Sequence, residues 1–196
     1  MSTFSAYFQL GIEHILDLQG FDHMLFIVAL MATYTHRHWK QILVVITAFT
    51  LGHSVTLAIS ALQGPILLAA WVELMIPITI LITAIEGIAV PANKKTGAKL
   101  RYGLALFFGF IHGMGFSNFF RALLGQEADI FQPLLAFNLG VELGQLVIVA
   151  VILLVLWLTL QVWNKKQRDV SLVLSSAAAG ISITLCMEQI VNISTL

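Results

Sequence analysis

Six apolar stretches separated by short polar loops dominate this chain and dictate its solvent. They fall at about 21–34 (extended by a turn at either end), 42–62, 66–90, 102–124, 131–163 and 171–190. About 20 apolar residues in a helix cross roughly 30 Å of hydrocarbon. The pattern therefore predicts an all-α, polytopic membrane helix bundle of about six transmembrane helices. Gly64-Pro65 and Pro91 punctuate the second and third stretches. Composition agrees: 59% of the 196 residues are hydrophobic and 10% charged, against about 45–50% and 25% in soluble domains. The fifth stretch exceeds one crossing and is expected to tilt or project.

Ahead of the first stretch, Phe4, Tyr7, Phe8, Ile12, Ile15 and Leu16 recur near helical spacing, with Glu13, His14 and Asp17 interleaved. This predicts an interfacial or re-entrant N-terminal helix. The first twenty residues lack a basic n-region and a small-residue cleavage motif, so no cleaved signal peptide is expected. Every loop is short and no internal repeat stands out, so residues 1–196 read as a single integral membrane domain.

Ten bases balance ten acids, which argues against a nucleic-acid partner. The balance hides an asymmetry. Nine of the ten Lys and Arg fall in alternate loops: Arg37 and Lys40, then Lys94, Lys95, Lys99 and Arg101, then Lys165, Lys166 and Arg168. Short basic loops stay in the cytoplasm, so a bacterial cytoplasmic (inner) membrane protein with both termini outside is expected. Eight acids then lie outside or in the outer half: Glu13, Asp17, Asp22, Glu73, Glu127, Asp129, Glu142 and Glu188.

Polar groups within the spans carry the chemistry, since an ionisable residue near the bilayer centre costs at least about 2.5–3.5 kcal/mol and faces a bundle interior or a pathway. At about 1.5 Å of rise per residue from the outer ends, His53 lies roughly 14–15 Å deep, Glu73 about 10 Å, His112 about 18 Å and Glu142 about 16 Å. Asp22 and His23 open the first stretch, and a re-entrant N-terminal helix brings His14 toward the same layer. Imidazoles with carboxylates are the donor set of a divalent transition metal: nickel, zinc, cobalt, iron or copper. The lone Cys186 excludes an internal disulfide and a cysteine-built metal site. Thr50 accompanies His53, and Asn138, Glu142 and Gln145 share one helical face expected to point inward. Gly109 and Gly113, and Gly140 and Gly144, form G-x-x-x-G pairs that permit close helix approach in lipid.

Several segments together resemble the HupE/UreJ family of hydrogenase and urease accessory membrane proteins, in its second, N-terminally shortened branch. They are Gly11-Ile12-Glu13-His14, Gly20-Phe21-Asp22-His23-Met24-Leu25-Phe26, the run from Thr47 to Leu57 around Gly52-His53-Ser54, Val72-Glu73, Gly109-Phe110-Ile111-His112-Gly113-Met114-Gly115-Phe116, and Phe137-Asn138-Leu139-Gly140-Val141-Glu142-Leu143-Gly144-Gln145. The resemblance implies a multi-spanning permease for nickel or another transition metal, or an accessory to metalloenzyme maturation. Glu86-Gly87 departs from the acid-Asn pair such a member carries there, and no histidine-rich stretch singles out nickel.

The metal set expected is His14, Asp22, His23, His53, Glu73, His112 and Glu142, supported by Thr50, Asn138 and Gln145. Plainer readings compete: interhelical hydrogen bonds for His53, His112 and Glu142, a helix cap for Asp22, a polar helix face for His14, and an outer-shell role for Glu73. No His-Glu-x-x-His or G-x-S-x-G motif is present. The leading expectation is a transition-metal permease. The alternatives are an intramembrane metal-dependent oxidase, hydroxylase or hydrolase, or a protein that delivers metal to a maturation partner.

Overall fold

In hydrocarbon every backbone N–H and C=O must be satisfied within the segment, so apolar runs of this length become helices. The computed structural model describes residues 2–18, 20–89, 98–125 and 129–195. Lys94, Lys95 and Glu127, which contributed to the charge reading, lie outside them. The described residues form seven α-helices and no strand: α1 Thr3–Leu16, α2 Asp22–Met31, α3 Trp39–Gln63, α4 Ala69–Ala89, α5 Ala98–Leu124, α6 Phe131–Trp157 and α7 Gln167–Ser194. A π-helical turn, Leu158–Val162, prolongs α6. Five helices are long and apolar enough to cross a membrane, and they account for five of the six expected stretches.

The first stretch comes out differently. Its helix, α2, has only ten residues, about 15 Å at 1.5 Å per residue, and does not span a bilayer alone. The fourteen-residue α1 supplies about 21 Å more. The α1 helix buries Gly11 and Ile15 and packs along α6 and beside α5. Near its start the Tyr7 hydroxyl donates to the Leu123 carbonyl at the far end of α5 (3.2 Å). Just past α2, Thr33 accepts from Arg101 in the first turn of α5 (3.1 Å). Together α1 and α2 thus run the length of α5 as one discontinuous traverse, interrupted between Leu16 and Asp22.

Two helix crossings fix the scaffold. A Cβ on Gly11 of α1 would overlap the carbonyl of Phe137 in α6 and stand 2.9 Å from the Val141 nitrogen. A Cβ on Gly109 of α5 would overlap the carbonyl of Phe49 in α3 and stand 3.1 Å from the His53 nitrogen. Reciprocally, Gly140 faces the Phe8 carbonyl and Gly52 the Leu106 carbonyl. Backbones meet this closely only where glycine removes the side chain. Each crossing runs parallel: Gly144 lies against Ile15 as Gly113 lies against Thr56. The two pairs point in opposite directions, because Tyr7 of α1 touches Phe120 while His14, seven residues on, touches Phe116.

One end of the bundle is tied by charge. Arg101 pairs with Glu86 at 3.0 Å and lies 5.2 Å from the Tyr34 ring centre. Arg168, at the start of α7, donates to the carbonyls of Gly87 and Ile88 at the end of α4. Arg37, Lys40, Lys99, Lys165 and Lys166 cluster at this same end by chain order.

Candidate metal centre

The interruption between α1 and α2 is where the functional groups gather. The α1 helix ends two residues beyond His14, and α2 begins with Asp22 and His23. His53 comes from the middle of α3 and His112 from the middle of α5. The His23 ring centre stands 4.8 Å from that of His14, 5.0 Å from that of His112 and 5.8 Å from that of His53. His53 and His112 are wholly buried, and His23 is 3% exposed. Two ligand groups result, both containing His23: His14, His23 and His53, and Asp22, His23 and His112, with each group's donor atoms within 4.8 Å of one another. Tetrahedral ligands about 2.0–2.1 Å from an ion lie about 3.4 Å apart. Each group therefore closes by up to about 1.4 Å to hold one.

Hydrogen bonding orients these rings as metal ligands. Asp22 Oδ1 accepts from the His23 backbone N–H (2.9 Å) and lies 3.2 Å from its Nδ1. A proton on Nδ1, shared with the carboxylate, leaves Nε2 as a lone pair, the carboxylate–histidine arrangement that raises ligand basicity. Thr79 treats His112 similarly. The Thr79 hydroxyl donates its only hydrogen to the Ile76 carbonyl (2.7 Å), so it accepts from His112 Nε2 (2.9 Å) and leaves Nδ1 free. Among the described residues the nitrogens left without a hydrogen-bond partner are His14 Nε2, His23 Nε2, both of His53, whose ring lies beside the Asn138 side chain, and His112 Nδ1. A buried polar atom without a partner costs about 1–3 kcal/mol. Four histidines placed so in an apolar bundle are a receptor for something that accepts lone pairs.

A cleft of about 760 Å³ leads to them, on the half of the bundle away from Arg101. Glu13, Asp17, Asp22 and Glu73 line it together with His14, His23 and His112, and no Lys or Arg among the described residues does. Six waters at about 30 Å³ each occupy about 180 Å³, so a hydrated cation fits and need lose its water only at the histidines. On the opposite side the route is closed. Phe26 stacks on Phe49 (4.9 Å between ring centres), Phe108 stands edge-on to Phe26 (6.1 Å), and the Phe26 and Phe49 rings lie 5.4 and 5.1 Å from that of His112. All three phenylalanines are buried.

Of the residues expected from sequence, the structure brings together His14, Asp22, His23, His53 and His112, with Glu73 in the cleft wall. Glu142 stands apart from both ligand groups: its Oε1 accepts from Thr47 of α3 at 2.7 Å. Gln145 likewise accepts from Thr50 (2.8 Å), so the shared face of α6 does turn inward, toward α3. Asn138 donates to the Leu134 carbonyl, and its Oδ1 is unpartnered. Thr79 was not anticipated, and its only signal was a hydroxyl within an apolar span. Glu13 and Asp17, expected among the outer acids, form part of the cleft wall.

Fold and site together define a polytopic helical membrane protein with a buried cluster of histidines and a carboxylate suited to a transition-metal ion. A model of the family described as HupE / UreJ protein matches residues 1–193, and the chain belongs to that family. No curated protein and no solved structure matches it.

Proposed function

We propose that this protein is a permease for a divalent transition-metal ion such as nickel or cobalt, which is its cargo. The observation that carries the reading is the ring of unpartnered buried imidazole nitrogens at the foot of an acidic, base-free cleft. Family membership supports it, since HupE/UreJ proteins are associated with nickel and cobalt handling. With the basic loops in the cytoplasm, the cleft opens outward, in the inner membrane of a bacterium, and both termini lie outside.

The chemistry follows from the residues. Carboxylates in a low-dielectric cleft concentrate cations. Asp22 offsets the charge of the arriving ion as well as the positive helix end of α2. Neutral imidazoles then replace the water shell. Glu73 guides the ion along the wall, and Glu142, held by Thr47, is the intramembrane carboxylate placed to carry a proton. The test is uptake of Ni²⁺ or Co²⁺ into proteoliposomes: His53→Ala and His112→Ala, in folded protein, are expected to lower uptake at least tenfold. Uptake unchanged in both rules the permease out.

One observation favours a second reading. A cleft of about 760 Å³ also lies in the range that holds small organic ligands, and a metal bound at its foot would activate water or oxygen, as in an intramembrane hydrolase or oxygenase. Metal binding without flux separates this reading, or a metal-delivery role, from transport.

A further inference from the structure

The two glycine crossings are the same crossing made twice. In one, Gly11-Ile12-Glu13-His14 of α1 meets Phe137-Asn138-Leu139-Gly140 of α6; in the other, Gly109-Phe110-Ile111-His112 of α5 meets Phe49-Thr50-Leu51-Gly52 of α3. In both, the glycine of a G-x-x-H segment lies on the carbonyl of the phenylalanine of an F-x-L-G segment and beside the nitrogen just after that segment's glycine. The pairs run in opposite directions, so a twofold axis across the bundle relates them: α1 corresponds to α5 and α3 to α6. This is an inverted repeat, a design in which a central site is shared by two halves that exchange conformations. It makes His14 and His112 counterparts, and their ring centres flank that of His23 at 4.8 and 5.0 Å.

We propose that the ion occupies two positions in turn, both built on His23, and trades His112 for His14 as it passes between them. The first position, Asp22, His23 and His112, is lined entirely by cleft residues. The second, His14, His23 and His53, includes His53, which is buried and not part of the cleft wall. His23 has one free nitrogen, Nε2, so both positions cannot be filled at once. The step is a ligand exchange with no change of oxidation state: the Asp22 carboxylate, His112 Nδ1 and the last waters leave, and His14 Nε2 and a His53 nitrogen enter. It also selects. The first position offers two imidazoles, a carboxylate and water; the second offers three nitrogens and no oxygen, which hard ions such as Mg²⁺ and Ca²⁺ reject more strongly.

This inference rests on the reading of the site as a transition-metal centre, and Co²⁺ titration of the purified full-length protein tests the two separately. Wild type is expected to bind one Co²⁺ per chain. His53→Asn and His112→Asn are each expected to retain one Co²⁺, with visible spectra that differ from each other and whose weighted sum reproduces the wild-type spectrum. Thr79→Val removes only the group that holds His112, and its spectrum is expected to shift away from that of the His53 variant, so the test survives misfolding of the His112 variant. Two Co²⁺ per wild-type chain, or identical spectra in the His53 and His112 variants, overturns the two-position exchange and leaves the metal site standing. No Co²⁺ bound by wild type overturns both.

Discussion

Neutral imidazole is the form that binds metal, and the site contains four. Protons compete for the same lone pairs, so acid strong enough to charge the imidazoles must displace the ion. Release of bound Co²⁺ on acidification, read from the loss of its visible spectrum, is the expected outcome. Asp22 holds His23 and also stands among the donors of the cleft-side position: Asp22→Asn keeps a hydrogen-bond acceptor but removes the charge behind His23 and an anionic ligand. Loss of an outer partner alone costs about 10–100-fold in affinity, and a loss of at least that size in a Co²⁺ titration, with the one-ion stoichiometry kept, is the expected outcome. The histidines were legible in the sequence because an imidazole in an apolar span is costly enough to require a reason. Thr79 was not, since a threonine in a helix ordinarily satisfies itself on a preceding carbonyl. Thr79 does so at Ile76 and holds His112 as well. Glu142 shows the opposite limit. Depth along a helix follows from counting residues, but rotation about its axis follows from packing, and packing turns Glu142 to Thr47.

At the scale of elements, five long helices could be read directly from runs of about 20 apolar residues. The broken traverse could not. Leu16, Leu18 and Phe21 carry apolar character across the interruption, and the polar residues Glu13, His14 and Asp17 mimic the wet face of an interfacial helix although they face a cleft. The glycine pairs were legible as close-approach motifs, while their equivalence emerged only from which carbonyl each one touches. It yields a sharp mutational contrast. Gly11→Ala and Gly109→Ala each drive a methyl group into a backbone carbonyl, and overpacking costs about 1–3 kcal/mol. Both are expected to lower the midpoint of thermal unfolding in detergent, by similar amounts. Gly103→Ala, on the same helix as Gly109 and with nothing within 4 Å of its Cβ, is expected to leave the midpoint unchanged or raise it slightly, since alanine favours helix.

The whole molecule is asymmetric about its centre: cleft and carboxylates on one half, aromatic packing and the Glu86–Arg101 pair on the other. Removing Arg101 leaves Glu86 half-buried without its cation and frees Thr33 and Tyr34. Arg101→Ala is therefore expected to make a cysteine placed at Thr83, buried in α4, react with a membrane-impermeant thiol reagent added from the basic side, in a Cys186→Ser background. No gain in labelling would remove the pair from any role in closure.

The packing of Phe26, Phe49 and Phe108 beneath the histidines also bears on bioenergetics. A carrier of the kind proposed above waits across a proton gradient long before an ion arrives. A wet cleft continued to the far side would conduct protons along its water and drain that gradient. Phe26, stacked on Phe49 and edge-on to Phe108, puts aromatic rings rather than water on that path, so under that reading the number of idle copies would not be limited by leakage.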